Sequence, residues 1–190
     1  MGKPTHRIAV VAKKGGVGKS TISVLLYEAL RQARHPIAIR DWDAQGTSSK
    51  ALVNFGDPRL EESNATVIIY DTPPSLDHTA TASAIRDAHI VLIVTSPSPV
   101  DIWEAGAAVA FAKAKNAHAR IRVMVNKVRK TTVLGRLIEE SVKDIGAPTL
   151  PVMLSARECY QHALAQGWKA LDSAAKEEVL QLTLALLSFK

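Results

Sequence analysis

The chain has 190 residues, of which 47% are hydrophobic and 22% are charged, a composition typical of one globular domain and not of a disordered or fibrous chain. A single cysteine, Cys159, excludes an internal disulfide framework, and the absence of eighteen consecutive apolar residues argues against a membrane span. Lysine and arginine exceed aspartate and glutamate by 24 − 18 = 6, which permits a polyanionic partner without proving one.

Short apolar runs alternate with longer helical patterns along the chain. The predicted strands are residues 6–12, 36–41, 66–71, 89–95, 119–126 and 148–152. The predicted helices are residues 19–34, 76–86, 100–116, 132–145, 156–166 and 173–188. Runs such as "VIIY" and "IVLIV" are apolar on both faces, as in a parallel sheet that helices cover on each side. We therefore predict an α/β fold with a doubly wound, mainly parallel sheet, in a single domain over residues 1–190.

The stretch "AKKGGVGKST", residues 12–21, joins the first predicted strand to the first predicted helix. It nearly matches the phosphate-loop pattern G-x-x-x-x-G-K-[ST], but Lys13 stands where the first glycine is expected. In this context, loop amides and the helix N-terminus point at phosphate oxygens, Lys19 reaches the β- and γ-phosphates, and Ser20 is placed to bind Mg²⁺. The predicted nucleotide-binding residues of this loop are Gly15, Gly16, Val17, Gly18, Lys19, Ser20 and Thr21.

Carboxylates follow two of the predicted strands. Asp71 ends the run "VIIYD", so it is expected at the sheet edge where α/β folds bind ligands, holding Mg²⁺ through its waters. Asp41 and Asp43 in "DWDAQGTSS" lie two residues apart and point the same way in an extended chain. One can face the metal while the other orients a water in line with the γ-phosphate.

The stretches "KGGVGKST", "DWDAQG" and "DTPPS", in that order, resemble the ParA/MinD deviant-Walker P-loop ATPases. The later sequence, including "TSPSPVDIWEAG" and "ARECYQHALAQG", is similar to the small plasmid-partition ParA branch, so the resemblance covers nearly the whole chain. It implies that Lys14 is the signature lysine, which reaches across a homodimer to the partner's bound nucleotide.

The resemblance also assigns roles to other residues. Asp43 matches the catalytic aspartate, Asp41 and Asp71 match the magnesium shell, and Asn126 matches an asparagine that contacts the base. Lys14, Lys19 and Asp43 are thus the expected catalytic residues. The chain departs from the family at Ala12, Lys13 and Ala44, all beside the site. These departures put the hydrolysis rate in question but not nucleotide binding.

The function implied by the resemblance is that of a weak ATPase with ATP and Mg²⁺ as cofactors. ATP binding would form a homodimer that binds DNA non-specifically, and a ParB-like adaptor would stimulate hydrolysis. The cargo would be a plasmid or chromosome, or another cell body such as a carboxysome, and the protein would be cytoplasmic and nucleoid-associated. The candidate DNA-binding residues are Arg129, Lys130, Arg136 and Arg157. About five residues precede the first strand, so no N-terminal DNA-reading extension is expected.

Two alternatives remain at this stage. A MinD-like ATPase on a membrane surface would use an amphipathic C-terminal helix, and "KEEVLQLTLALLSFK" is apolar enough. Its acidic residues Glu177 and Glu178 and its thin polar face favour a core helix, and no membrane partner is expected. A small metabolic kinase or ligase of the same fold is less favoured, because no lid or substrate segment is evident.

Overall fold

The computed structural model describes residues 6–55 and 64–188. The five strands of its sheet are β1 (His6–Val11), β2 (Ile37–Asp41), β3 (Val67–Asp71), β4 (Ile90–Thr95) and β5 (Arg120–Val125). The helices are α1 (Lys19–Gln32), α2 (Thr47–Asn54), α3 (Thr79–Asp87), α4 (Pro99–Lys115), α5 (Val133–Arg136), α6 (Ile138–Ser141), α7 (Cys159–Gln166) and α8 (Ser173–Ser188). A 3₁₀ turn over Gly167–Ala170 joins α7 to α8.

All neighbouring strands of the sheet are parallel, in the order β2-β3-β1-β4-β5. The chain builds the sheet outward from β1, first through β2 and β3 on one side and then through β4 and β5 on the other. The carboxyl end of β1 is therefore the point where the strand order reverses, which is where open α/β sheets bind ligands.

Helices cover both faces of the sheet, because alternate residues of each strand point to opposite sides. Ile8 and Val10 of β1 pack in one hydrophobic cluster with α1, α7 and α8. Ala9 and Val11 of the same strand pack in a second cluster with α3, α4 and α6. The predicted fold class is confirmed by this two-sided packing.

The predicted sixth strand, residues 148–152, forms only an isolated parallel bridge between Thr149 and Val123. The Val123 N–H donates to Pro148 O at 3.0 Å, and the Leu150 N–H donates to Val123 O at 2.8 Å. Pro148 and Pro151 have no N–H group to extend this ladder in either direction. The strand prediction was wrong because the prolines outweigh the apolar character of the run.

The predicted helix over residues 132–145 is instead two short turns, α5 and α6. Gly135 lies so close to the preceding loop that a Cβ atom would come within 2.0 Å of Arg129 O. Thr132 Oγ1 also donates to Arg129 O and accepts from the Gly135 N–H. These contacts fold the segment back on itself, which a continuous helix would not allow.

Helix α2 was not predicted from the sequence. Its buried residues, Ser48, Ala51 and Leu52, do show the spacing of a helical face, but two glycines and a polar first turn surround them. Three positions at helical spacing are too few to separate a short helix from a loop.

The C-terminal helix α8 packs its apolar side into the core. Val179, Leu182 and Leu186 are buried in the cluster on the α1 side of the sheet. The prediction of a core helix is therefore confirmed for residues 173–188. Among the described residues, no helix has the length and apolar character needed to cross a membrane.

Some predictions concern residues outside the described ranges. The expected absence of an N-terminal extension rests on residues 1–5, and the candidate membrane helix ends in Phe189 and Lys190. Residues 56–63, between α2 and β3, are likewise outside the described ranges.

Candidate functional site

The loop between β1 and α1 turns through two glycines in the left-handed region of backbone space. Gly16 has a φ of +84° and Gly18 has a φ of +103°, which residues with a side chain rarely adopt. Helix α1 begins directly after Gly18, and no described side chain caps its first turn. The N–H groups of that turn are thus available to an anion at the positive end of the helix dipole.

The outer side of this loop is held by the two residues that follow β5. Asn126 Nδ2 donates to Val17 O at 2.9 Å, and Lys127 Nζ donates to Gly16 O at 2.6 Å. Lys127 has a φ of +60°, and its own N–H donates to Asn126 Oδ1 at 2.9 Å. With two loop carbonyls bound from outside, the loop amides are left to face the ligand side.

Asn126 therefore braces the phosphate loop, a role that the sequence did not indicate. Both ends of its amide group already contact the protein, and a Cβ atom at Gly18 would lie 2.3 Å from its Nδ2. The predicted contact with a base stays a prediction. Such a contact would use the second N–H of Nδ2 or the second lone pair of Oδ1.

The loop lysine Lys19 is buried among carboxylates. Only 6% of its surface is exposed. Burial lowers the pKa of Lys19 below its ordinary value, while the charges of Asp71 and Asp43 act to raise it. An ammonium group that is desolvated in this way interacts strongly with an anion placed beside it.

Asp71 is a fully buried carboxylate at the same sheet edge. Neither of its oxygens has a hydrogen-bond partner among the described residues, and the same is true of Ser48 Oγ nearby. Burial raises the pKa of Asp71 to about 6, and the charge of Asp41 adds to this effect. The hydroxyls of Ser20 and Ser48 and the charge of Lys19 lower it, although neither hydroxyl has hydrogen-bond geometry.

A buried carboxylate without a partner is costly unless a cation compensates it. Mg²⁺ takes oxygen ligands, keeps several waters and binds through one or two carboxylates together with substrate phosphates. The orphaned oxygens of Asp71, with Ser20 on the phosphate side, fit such an ion. The predicted metal residues are therefore chemically suitable.

Asp41 and Asp43 have different surroundings. Asp41 and Asp71 are direct partners in the pairing of β2 with β3. Asp41 Oδ1 accepts from the Asp43 N–H at 3.1 Å, and Asp41 Oδ2 accepts from the Ser49 N–H at 2.9 Å, so Asp41 orders the following loop. Asp43 lines the open cleft, and its Oδ1 accepts from the Gln45 N–H at 3.0 Å.

One cleft of about 680 Å³ contains most of the predicted site. This volume lies within the range of small-ligand pockets, roughly 300–1,000 Å³. The predicted nucleotide-site residues that line the cleft are Gly15, Gly16, Gly18, Lys19, Ser20, Thr21, Asp43 and Asn126. Val17 instead lies buried behind the loop.

Apart from Arg157, which was predicted to contact DNA, the far wall of the cleft was assigned no role from the sequence. Residues from this wall that line the cleft are Ser155, Ala156, Arg157, Glu158, Tyr160, Gln161 and Leu164. The family resemblance included this stretch, but the stretch has no glycine-rich or paired-carboxylate pattern that predicts ligand binding. Lys127 was missed for a similar reason, since its contact with the loop spans 111 positions of sequence.

The two additional lysines of the loop rest on the first turns of α4. Lys14 Nζ lies 3.0 Å from Asp101 Oδ1, and Lys13 Nζ lies 2.6 Å from Glu104 Oε2. Burial raises the pKa of Asp101, but hydrogen bonds from Ser96 and Lys14 outweigh it, so the net pKa is below the ordinary value. The Lys14 side chain is 55% exposed and does not line the cleft of its own subunit.

Three of the four candidate DNA-binding residues are close in sequence and exposed. Arg129, Lys130 and Arg136 lie on and before α5, beside the exposed side chains of Val133, Leu134 and Leu137. Arg157 is distant from them in sequence, but it lines the same cleft as Arg129. Its Nη2 lies 2.9 Å from Glu178 Oε1.

A glycine-rich loop at the switch point of a doubly wound sheet, with a buried lysine and an orphaned carboxylate beside it, defines a phosphate-loop nucleotide-binding protein. The family model described as the CobQ/CobB/MinD/ParA nucleotide binding domain matches residues 8–167. The chain belongs to this family, and the ParA/MinD resemblance is confirmed.

Two curated relatives align over most of the chain, and both are named "Maintenance of carboxysome distribution protein A". The protein from Halothiobacillus neapolitanus is 26% identical over 89% of this chain and 88% of its own length. The protein from Gloeobacter kilaueensis is 29% identical over 89% of this chain and 85% of its own length.

Solved structures share the fold at low sequence identity. A Cyanothece McdA variant in complex with ATP has a TM-score of 0.81 at 14% identity, covering 100% of this chain and 98% of that one. MinD from Pyrococcus horikoshii with Mg-ADP has a TM-score of 0.74 at 15% identity and 94% coverage of each chain. A putative plasmid partition protein from Borrelia burgdorferi, bound to AMPPNP, has a TM-score of 0.75 at 17% identity, covering 97% and 99%.

The nucleotides and magnesium in these solved neighbours agree with the chemistry of the cleft. The prediction of ATP and Mg²⁺ as cofactors is confirmed at the level of the family to which the chain belongs.

Proposed function

We propose that this chain, as a single ATPase domain, is a weak Mg²⁺-dependent ATPase that forms an ATP-sandwich homodimer, binds DNA non-specifically in that state and positions a cargo. The observation that carries the proposal is the placement of Lys14. The phosphate site already contains Lys19, and Lys14 stands outside it, exposed at the surface. A second cation in that position is suited to a phosphate that belongs to another subunit.

Hydrolysis would use the residues around the cleft. The loop amides and Lys19 hold the phosphates, and Asp43, which lines the cleft, orients the attacking water. Ser20 and, through waters, Asp41 and Asp71 would hold Mg²⁺, which would supply positive charge to offset that of the phosphates. A site that relies on one carboxylate to position water is consistent with slow turnover that a partner accelerates.

Dimer formation would require Lys14 to leave Asp101. In the single subunit the ion pair holds Lys14 against α4, at a half-exposed position where such pairs contribute roughly 0.2–1 kcal/mol. A triphosphate presented by a second subunit carries more negative charge than one carboxylate. The exchange of partner is therefore favourable only when nucleotide is present, which would couple dimerisation to ATP.

DNA binding would involve the basic turn at Arg129, Lys130 and Arg136. Arg129 also lines the nucleotide cleft, so this turn adjoins the nucleotide site. Lysine and arginine contacts to phosphates position a protein on DNA without reading sequence. One subunit offers few such residues, whereas a dimer doubles them on one assembly.

The cargo we favour is a carboxysome or a similar cell body. The sequence resemblance pointed first to plasmid partition, but the two curated relatives that align over most of the chain are carboxysome distribution proteins. The protein would then act on the nucleoid with a ParB-like adaptor that stimulates hydrolysis. Plasmid partition remains the competing cargo, and the genes beside this one would discriminate between the two.

Dimerisation can be tested by light scattering with ATP, ADP or no nucleotide. Lys14→Ala should bind ATP but remain monomeric, because only the contact to the second subunit is removed. Lys13→Ala is the matched control, since Lys13 is the adjacent loop lysine and also pairs with α4. An unchanged dimer population in Lys14→Ala would contradict the role across the interface.

DNA binding can be tested by gel shift on unrelated duplexes at several salt concentrations. Arg129→Glu with Lys130→Glu should weaken binding to all sequences equally and make the salt slope shallower by roughly 0.9 per lost contact. Lys115→Glu with Lys143→Glu changes the net charge equally elsewhere and should have a smaller effect. Co-sedimentation with anionic liposomes, without any DNA shift, would favour the MinD-like membrane alternative instead.

A further inference from the structure

In the far wall of the nucleotide cleft, residues 155–158 form no helix or strand, and Tyr160 lies in the first turn of α7. Among the described residues, the backbone of this stretch is tied to Val128, just after β5, by a bridge from Ser155 and a hydrogen bond from the Ala156 N–H to Val128 O. A wall of this kind needs another element to fix its shape if it is to select a ligand.

One carboxylate from α8 contacts this wall at three residues. Glu178 Oε1 accepts from Ser155 Oγ at 2.8 Å and from Arg157 Nη2 at 2.9 Å and Nε at 3.3 Å. Glu178 Oε2 accepts from the Ser155 N–H at 2.9 Å and from the Tyr160 hydroxyl at 2.7 Å. Five donors converge on two oxygens from positions 18 to 23 residues away in sequence.

The helix that carries Glu178 is itself anchored. Val179, the next residue, and Leu182 are fully buried on the α1 side of the sheet. Burial raises the pKa of Glu178, but the hydrogen bonds from the wall outweigh this, and the pKa is below its ordinary value. Glu178 is therefore a charged acceptor at neutral pH, and hydrogen bonds to charged acceptors are the stronger class.

The position of the wall indicates which part of a nucleotide it faces. Lys19 interacts with Asp43 and Asp71 at the phosphate and metal end of the cleft. Residues 155–158 and Tyr160 line the same cleft but belong to a segment that follows β5 and bridges Val128. If the triphosphate occupies the loop, the nucleoside is left to contact this wall.

We propose that Glu178 is a positioning residue which, through Ser155, Arg157 and Tyr160, shapes the nucleoside end of the cleft and sets its affinity for the base and sugar. The proposal rests on the proposed function, because it takes the ligand to be a nucleoside triphosphate. It also gives Arg157 a task at the cleft wall, in addition to its predicted contact with DNA. The phosphate end does not depend on Glu178.

The test compares two ligands in one competition assay. A fluorescent ATP analogue is displaced by unlabelled ATP or by inorganic tripolyphosphate, each with Mg²⁺, in wild type, Glu178→Gln and Glu177→Gln. Glu178→Gln should weaken the binding of ATP about tenfold, while the binding of tripolyphosphate should stay within about twofold of wild type. Only the far wall, which would contact the nucleoside, loses its hydrogen bonds. Glu177→Gln is the matched control, since Glu177 lies on the same helix, is exposed and accepts a hydrogen bond from Gln181, not from the wall.

Tyr160→Phe provides a milder variant that keeps the buried ring and removes one donor to Glu178. It should weaken the binding of ATP about threefold and leave the binding of tripolyphosphate unchanged. The proposal therefore stays testable if Glu178→Gln does not fold. Equal losses for both ligands, or no loss for ATP, would overturn the role of Glu178. Wild-type protein that binds tripolyphosphate but not ATP would overturn it too, whereas wild type that binds neither would overturn the proposed function as well.

Discussion

The two ends of the nucleotide cleft are built in different ways. The phosphate end is made largely of backbone from one continuous loop, with Gly16 and Gly18 in left-handed conformations and a helix N-terminus directly behind them. The far wall, which we propose contacts the nucleoside, is made of side chains that α8 holds through Glu178, about twenty residues further along the chain. A motif search finds the first kind of site because all of its parts are adjacent in sequence. The second kind becomes visible only when the chain is folded.

The largest effect is expected at the phosphate end. Lys19→Ala should weaken the binding of ATP at least about a hundredfold and the binding of tripolyphosphate equally, since the buried ammonium lies at the phosphate end of the cleft. Equilibrium binding measures this, and Lys13→Ala should stay within about twofold of wild type. If Lys19→Ala still bound tripolyphosphate, the assignment of Lys19 to the phosphate end of the cleft would be wrong.

The burial of the Asp71 carboxylate can be tested by measuring the free energy of unfolding. Its folded pKa of about 6 lies above the ordinary value of 3.8, so the protonated form is favoured in the fold. The contribution of Asp71 to stability is fully present below about pH 4 and is lost as the pH rises through about 6. A shift of about two units corresponds to roughly 3 kcal/mol.

Asp71→Asn should therefore raise the free energy of unfolding at pH 7.5 without Mg²⁺, by about 2 kcal/mol, because the buried amide recovers only part of this difference. Urea unfolding in the presence of chelator measures it, and Asp77→Asn, an exposed position, is the control. The variant should also lose the stabilisation that Mg²⁺ with ATP gives to wild type. A variant less stable than wild type at pH 7.5 would show that the charge is compensated in the fold.

Asn126 could act at either end of the nucleotide cleft, by bracing the phosphate loop or by contacting the base. If it braces the loop through Val17 O, Asn126→Ala should weaken ATP and tripolyphosphate by the same factor, about tenfold, because a buried hydrogen bond contributes about 0.5–1.5 kcal/mol. If it contacts the base, only ATP should be weakened. The competition assay used for Glu178 separates these outcomes directly.

The smallest effect concerns the ion pair that holds Lys14. Asp101→Asn should release Lys14 and strengthen ATP-dependent dimerisation about threefold, as expected for a half-exposed pair. Analytical ultracentrifugation at several protein concentrations measures this, and Glu104→Gln, which releases Lys13, is the control. Weaker dimerisation in Asp101→Asn would show that Asp101 itself supports the interface.

Much of the fold followed from local pattern. The five strands, α1, α4 and α8 were predicted within a few residues, because apolar runs and glycine turns mark them clearly. The errors occurred where a local feature that apolar spacing does not reveal interrupts the element. Residues 148–152 are apolar but contain prolines, and residues 132–145 are interrupted where Gly135 meets Arg129 O.

The sequence by itself determined the phosphate loop, the three aspartates at the strand ends and the family, because each depends on residue types at short, regular spacing. Only the tertiary structure decided that Asp71 is buried with no hydrogen-bond partner among the described residues, that Lys14 rests on Asp101, and that Glu178 holds the far wall. Burial and pairing depend on which distant segments meet. That information is absent from any short stretch of sequence and appears only when the sheet brings the ends of its strands together.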